Sequence, residues 1–377
     1  MSRVQIKPEI VKWAAEQAGL PILDFATRIS PRDAEQIIKG SFSEPQILKA
    51  SKIAKVEFYE LFLQSPPPAP DLPIIDFRTE KNKASPLSKD FFDTYHDIQY
   101  KQEWYKDYLL RMGADPLPFI GSHSSTDNHK VIARDIRRLL SLEDRPKASD
   151  PSAYYSLLAQ KVEDVGVLIF KNGIVGNNTH RPLSVSEFRG FTICDPIAPV
   201  IFINGRDAPA AWVFTLMHEL AHLLRGDSAL SDASRESTVN EEVFCNKVAA
   251  ETLVPESLLA NFWEKSLKLN PKDRITDAQK IFKVSLAVLA RRAYDLRFIS
   301  KDLYLELIEY QPKQSKSKSS GGDHYATVPI RNSKTLTKTV SSLAAVGALS
   351  FREAGRLLQI QPVNVMKVYK NNNAISS

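Results

Sequence analysis

The sequence predicts an α+β chain: a core in which a small antiparallel sheet leads into a long helix, flanked by helical modules at both ends. Three observations predict it. Short β-like runs lie at Gly166–Phe170, Gly190–Cys194 and Pro199–Asn204, four to six residues each, apolar or β-branched and bounded by Gly, Asn or Pro. Helical patterns follow at about 208–225 and 238–253 and continue to about Glu309. Helical spacing returns at the two ends, in residues 7–63 and in Thr335–Tyr369.

Taken in order, Ile10, Val11, Ala14 and Ala18, then Phe25 and Ile29, then Ile47, Leu48 and Ile53 read as short helices, with Pro45 near a helix start. This gives a helical module over 1–64. Four prolines between Pro66 and Pro70, and Pro73, offer no ladder donors and favour an extended spacer, so 65–120 is a Pro-rich linker followed by a helical connector. The aromatics of 84–113 (Phe91, Phe92, Tyr95, Trp104, Tyr105 among them) are read as packing residues rather than as a base-stacking platform. The main domain occupies 121–310, with helices near His129–Leu142 and Ala153–Val162 ahead of the strands. Residues 311–325 are polar, basic and low in complexity, a linker that cannot bury a core. In 326–377, Phe351, Ala354, Leu357, Leu358 and Ile360, a Gln361-Pro362 break, then Val363 and Val365, read as two helices joined by a tight turn.

Composition narrows the class. The 377 residues are 43% hydrophobic and 25% charged, which fits a folded globular chain of two or three domains rather than a disordered one. Fifty Lys and Arg against forty-four Asp and Glu leave a net +6, which permits a polyanion partner without demanding one. Two cysteines, Cys194 and Cys245, exclude a disulfide scaffold and a Cys-rich zinc module and agree with a reducing compartment. No apolar run reaches the ~18 residues a membrane span needs, and no secretory signal opens the chain, so the expected location is the cytoplasm.

The chemistry concentrates in His218-Glu219-Leu220-Ala221-His222, an H-E-x-x-H inside the apolar-patterned segment Ala208–Leu224, with Asp207 placed to cap its start and Gly226 to end it. Four residues advance a helix by ~6 Å and ~400°, so both imidazoles lie on one face and can reach one ion. Glu219, at the edge of that face, can hold a metal-bound water as general base without being a ligand. A third ligand is expected from the next helix. Glu242 follows His222 by 20 residues, room for a helix end, a loop and an antiparallel return. It shares a face with Cys245, Asn246 and Ala249, whereas Glu241 is rotated by about 100°. Two His and one carboxylate leave a coordination position for water, the arrangement of a catalytic rather than a structural zinc site, although the same set can take manganese or iron. Asn246 can hydrogen-bond a ligand, and Asp227 or Asp232 in the intervening loop can orient a His nitrogen. Cys245 is read as core, and His96, His123, His129 and His180 as surface or loop residues without partners.

The chain resembles the ImmA/IrrE family of metallopeptidases in its long form, with an N-terminal helix-turn-helix of the Xre type. The residues that carry the likeness are Phe214–Leu224 around the H-E-x-x-H, Leu230-Ser231-Asp232, Glu242–Glu251 and Val254-Pro255, with Phe188–Phe191 and Pro199–Asn204 as the strand lead-in. Further likeness lies in Asp76-Phe77-Arg78, Gln102–Tyr105 and Gly321–Tyr325, so it spans nearly the whole chain. Ile29–Gly40 is shorter than the Xre pattern, a degenerate form. The resemblance implies a zincin-like, gluzincin-type core and a zinc-dependent endopeptidase, with His218, His222 and Glu242 as ligands and Glu219 as base. It also implies as substrate a cytoplasmic DNA-binding repressor, or an antitoxin-like protein.

A second function class stands beside this one: a DNA- or protein-binding regulator, associated with a phage or a toxin–antitoxin pair, whose metallopeptidase domain is a sensor or inactive. Lys49, Lys52 and Lys55 at one end and Arg352, Arg356, Lys367 and Lys370 at the other supply charge for phosphates. No DNA-contacting residue is assigned from sequence, and no membrane partner is expected.

Overall fold

A computed structural model describes residues 3–67, 75–76, 87–124, 126–231, 240–309 and 324–374. The chain divides into two compact units, Met1–Pro73 with Ala84–His96, and Ile74–Lys83 with Asp97–Ser377.

The first unit is built from short helices. Strand β1 (Val4–Gln5) pairs antiparallel with β2 (Ser41–Phe42), and between them run α1 (Pro8–Gln17), α2 (Ile22–Ile29) and α3 (Ala34–Ile38). Helix α4 (Glu44–Ala54) follows, opened by a capping box in which Ser43 and Gln46 satisfy each other's backbone donors and ended by Lys55 in the left-handed region. Ile10, Phe25, Ile37, Phe42 and Ile47 form its core. Strand β3 (Ile75–Asp76) belongs to the second unit, and α5 (Lys89–Arg111) starts in the first and continues into the second.

In the second unit α6 (His129–Leu139) and α7 (Pro151–Asp164) precede the sheet strands. Asn128 and Asp150 start these helices by accepting hydrogen bonds from the backbone of their first turns. Strand β4 (Leu168–Asn172) is followed by a two-stranded hairpin, β5 (Ile174–Val175) and β6 (Asn178–Pro182), then by β7 (Gly190–Ile193), β8 (Val200–Asn204), helix α8 (Pro209–Arg225) and β9 (Ala229–Ser231). The five-stranded sheet has the order β3-β9-β7-β8-β4. Here the expectation of an antiparallel sheet is corrected: β7 pairs antiparallel with β8 and β9, but β4 runs parallel to β8 and β3 parallel to β9. The reason lies in the connections. The 174–182 segment forms its own hairpin, and β7 then enters the sheet on the far side of β8, so β4 meets β8 in the same direction. Strand β8 is buried at all five positions, the continuous apolar run that a strand covered on both faces needs.

Helices α9 (Asn240–Leu253), α10 (Glu256–Lys265), α11 (Pro271–Phe282), α12 (Leu286–Asp295) and α13 (Lys301–Glu309) complete the centre of the unit. The C-terminal part holds α14 (His324–Arg331), α15 (Lys334–Ala345), α16 (Phe351–Leu358) and α17 (Val365–Ala374). Among the described residues no helix is long and apolar enough to cross a membrane.

Candidate metal centre

Helix α8 begins with Pro209 at its first turn and ends at Gly226, whose φ of 83° only glycine adopts without strain. Asp207 does not cap it: the cap is Ala208, and the Asp207 carboxylate pairs instead with Arg189 at 3.1 Å. From Thr215 to Leu224 every residue is buried. A helix apolar on all sides must be covered on all sides, and α7, α9, β7 and β8 pack around it. Polar groups at 218, 219 and 222 therefore sit in a dry interior, at a desolvation cost that only a partner or an ion offsets.

That interior brings the predicted ligands together. His218 Nε2 lies 3.1 Å from Glu242 Oε2, His222 Nε2 lies 3.0 Å from Glu242 Oε1, and the two Nε2 atoms are 3.1 Å apart. The residues are 4%, 0% and 2% exposed in the order His218, His222, Glu242. Four ligands at bonds of about 2.0–2.1 Å stand about 3.3 Å apart on the edges of a tetrahedron, close to the spacing seen. Two ring nitrogens this near can share at most one proton, so the cluster is short of positive charge, and the donor set fits a divalent cation. Electrostatics agree. Burial would lift the Glu242 carboxyl, but the charge of His218 and hydrogen bonds from both imidazoles hold it down to about 2. Burial pushes His222 below its ordinary value; at His218 burial acts in the same direction, but the Glu242 charge prevails and the net shift is upward.

The other predicted residues separate. Glu219 is fully buried beside the cluster. Asn246 lies near enough to His218 to favour its charged form. The Asp227 carboxylate faces Arg225 at 3.4 Å, and its backbone N–H donates to the His222 carbonyl. Asp232 lies outside the described residues, as do the linker 311–323 and most of the Pro-rich spacer. Glu241 is only half-buried. His123, read as partnerless, has Asp127 at 3.2 Å and Asp135 at 3.4 Å on its two ring nitrogens.

Two contributors went unseen in the sequence. Cys245 is core, as expected, yet its Sγ sits 3.6 Å from His222 Nδ1. Gly190 of β7 faces Glu219: a Cβ there would stand 2.8 Å from Glu219 Oε1, from the Phe202 carbonyl oxygen and from Thr215 Cγ2. The absence of a side chain lets the α8 carboxylate lie against the strand. A glycine inside a β-like run is the signal that could have pointed to such an approach.

Residues 162–294 match the family described as IrrE N-terminal-like domain, of the M78 peptidases. The match runs from the end of α7 to the end of α12 and takes in His218, Glu219, His222 and Glu242. It supports a peptidase, and metallopeptidase activity in general. No curated protein and no solved structure matches the chain.

Proposed function

We propose that the chain is a zinc-dependent endopeptidase of the cytoplasm that hydrolyses a peptide bond in a regulatory protein, a repressor or antitoxin-like chain. The observation that carries the reading is the convergence of His218, His222 and Glu242 in the buried interior between α8 and α9, with Glu219 beside them. The M78 match over the same residues supports it.

In this reading His218 Nε2, His222 Nε2 and one oxygen of Glu242 hold the ion. Bound zinc supplies Lewis acidity, polarising a carbonyl and lowering the pKa of a water. The Glu219 carboxylate takes a proton from the attacking water and returns it to the leaving amine. Gly190 keeps the Glu219 oxygens from being displaced, and the apolar residues of α8 keep bulk water away. Manganese or iron can occupy the same set.

The test is Glu219→Gln in the full chain, with metal content and cleavage of a neighbouring regulator measured together. The reading expects metal retained and cleavage reduced by about 10²- to 10⁴-fold. Cellular regulation that survives this change intact would instead make the domain a sensor.

A further inference from the structure

Residues 331–377 contain seven Lys and Arg against one acid, Glu353, a formal +6 that equals the net charge of the whole chain. The preceding 330 residues therefore balance to zero, and the basicity of this protein resides in its C-terminal helices. Their geometry gives that charge a shape. Helix α16 ends at Gln359 in the left-handed region (φ 53°), three residues turn the chain, and a short 3-10 segment, Pro362–Asn364, leads into α17. Ala354, Leu357 and Leu358 of α16 and Val365 and Val368 of α17 are buried to 1% or less and lock the two helices together over α15. Gly355 sits where the turn folds back: a Cβ there would stand 2.8 Å from the Ile360 carbonyl oxygen and 3.2 Å from Pro362 N. A small residue on the first helix, a left-handed residue after it, and core positions three apart on the second are the build of a helix-turn-helix.

We propose that this helix-turn-helix docks duplex DNA, with a cleft beside its turn seating a backbone phosphate. The outward residues suit that ligand. Gln361, Pro362 and Val363 are exposed at the leading end of the second helix, Val363 at 83%, where a recognition helix presents its base-reading side chains. Lys367 and Lys370 follow on the exposed face of α17. The cleft, of about 420 Å³, is lined by Arg352 and Arg356 together with Asn177, Gln361 and Asn364. Two guanidiniums and amide donors with no carboxylate among the lining residues select an anion. Asn177 comes from the β5–β6 hairpin, whose turn packs on the helix-turn-helix by a hydrogen bond from Asn177 to the Gln359 carbonyl. The hairpin residues Asn178, Thr179 and His180 are exposed, a ribbon that follows the contact of Asn177 with the turn.

This inference does not depend on peptidase activity, and its test reads binding alone. Full-length protein is titrated into a fluorescent pool of random-sequence DNA duplexes of a few helical turns, over a series of salt concentrations. Two double variants are compared with the parent chain: Arg352→Ala with Arg356→Ala in the cleft, and Lys367→Ala with Lys370→Ala on the helix. Because Arg356 also rests on the Tyr100 ring, 4.7 Å away, the lysine pair keeps the test open if the arginine pair unfolds; circular dichroism checks both. The expected result is duplex binding that weakens steeply with salt. Each variant then binds about tenfold or more weakly, with a log–log salt slope shallower by roughly one for each phosphate left unneutralised. Absence of salt-dependent duplex binding, equal binding by folded variants, or preference for single strands overturns the proposal. Variants that lose capture of a protein substrate but not of DNA overturn it too, and assign the surface to protein docking.

Discussion

Among the described residues of the second unit, two of the buried polar clusters differ in one respect. Around the start of α15, the Glu163 carboxylate accepts hydrogen bonds from the Ser333 hydroxyl and from the Lys334 backbone N–H at 2.9 Å, while Lys101, 1% exposed, donates to Asp97 at 2.6 Å and to Asn332 at 2.9 Å. Each of these donors has an acceptor there, which ties the C-terminal helices to α5 and α7, while among the described residues the neighbouring Arg331 Nε and Nη2 are buried without a hydrogen-bond partner. Between α8 and α9, by contrast, two imidazole nitrogens that can share at most one proton converge with a carboxylate on one point. Both clusters carry the desolvation cost of burial. The second brings two imidazoles and a carboxylate within reach of one point, a set that could hold a metal ion, and that convergence sets it apart from the structural clasp.

The largest effect is expected at the three clustered side chains themselves. His222→Ala or Glu242→Ala should take metal content, measured by elemental analysis, from about one ion per chain to near none; full retention would show that these residues are not the ligands. Glu163→Ala should leave metal content untouched and lower unfolding stability by about 2–4 kcal/mol, because a buried hydroxyl and N–H lose their acceptor. A loss of metal in that variant would erase the distinction between the clusters. Asn246→Ala should weaken metal affinity by about 10- to 100-fold while His218 and His222 remain, the range for groups that orient a ligand; competition with a chelator reads it. Gly190→Ala should cost about 1–3 kcal/mol by overpacking and slow cleavage through a displaced Glu219 while metal stays bound. The smallest effect is a pH dependence. Burial raises the Glu163 carboxyl above its ordinary 4.5, outweighing its hydrogen bonds. The folded chain then binds more protons than the unfolded one in the window above 4.5, so this group's contribution to stability falls as pH rises through it. Relative to the parent, Glu163→Gln should flatten the urea midpoint across that window; identical pH profiles would place the proton elsewhere.

Much of the centre is legible in one dimension because it is local. Residues 218, 219 and 222 share a helix whose periodicity is set by four-residue hydrogen bonding, and Gly226 marks its end. Choosing Glu242 over Glu241 also follows from helical rotation, since one face must turn to the neighbour. Asp207 departs from the expected cap: one carboxylate oxygen accepts from the Ala208 backbone N–H and the other faces Arg189, a partner brought in from another segment of the chain. The closing groups of the C-terminal clasp, such as Glu163 with Ser333, are separated by 170 residues, and no window of sequence relates them.

By itself, then, the order of residues determined the helix that bears both imidazoles, the carboxylate that answers them, and the α+β succession around them. Only the folded chain decided that β4 and β8 run parallel, that Gly190 makes room for Glu219, that Cys245 backs His222, and that the basic C-terminal helices enclose a cleft with Asn177. The physical reason is range. Helix phase and caps are fixed by neighbours within a few residues, whereas strand direction and burial are set by which distant surfaces exclude water together.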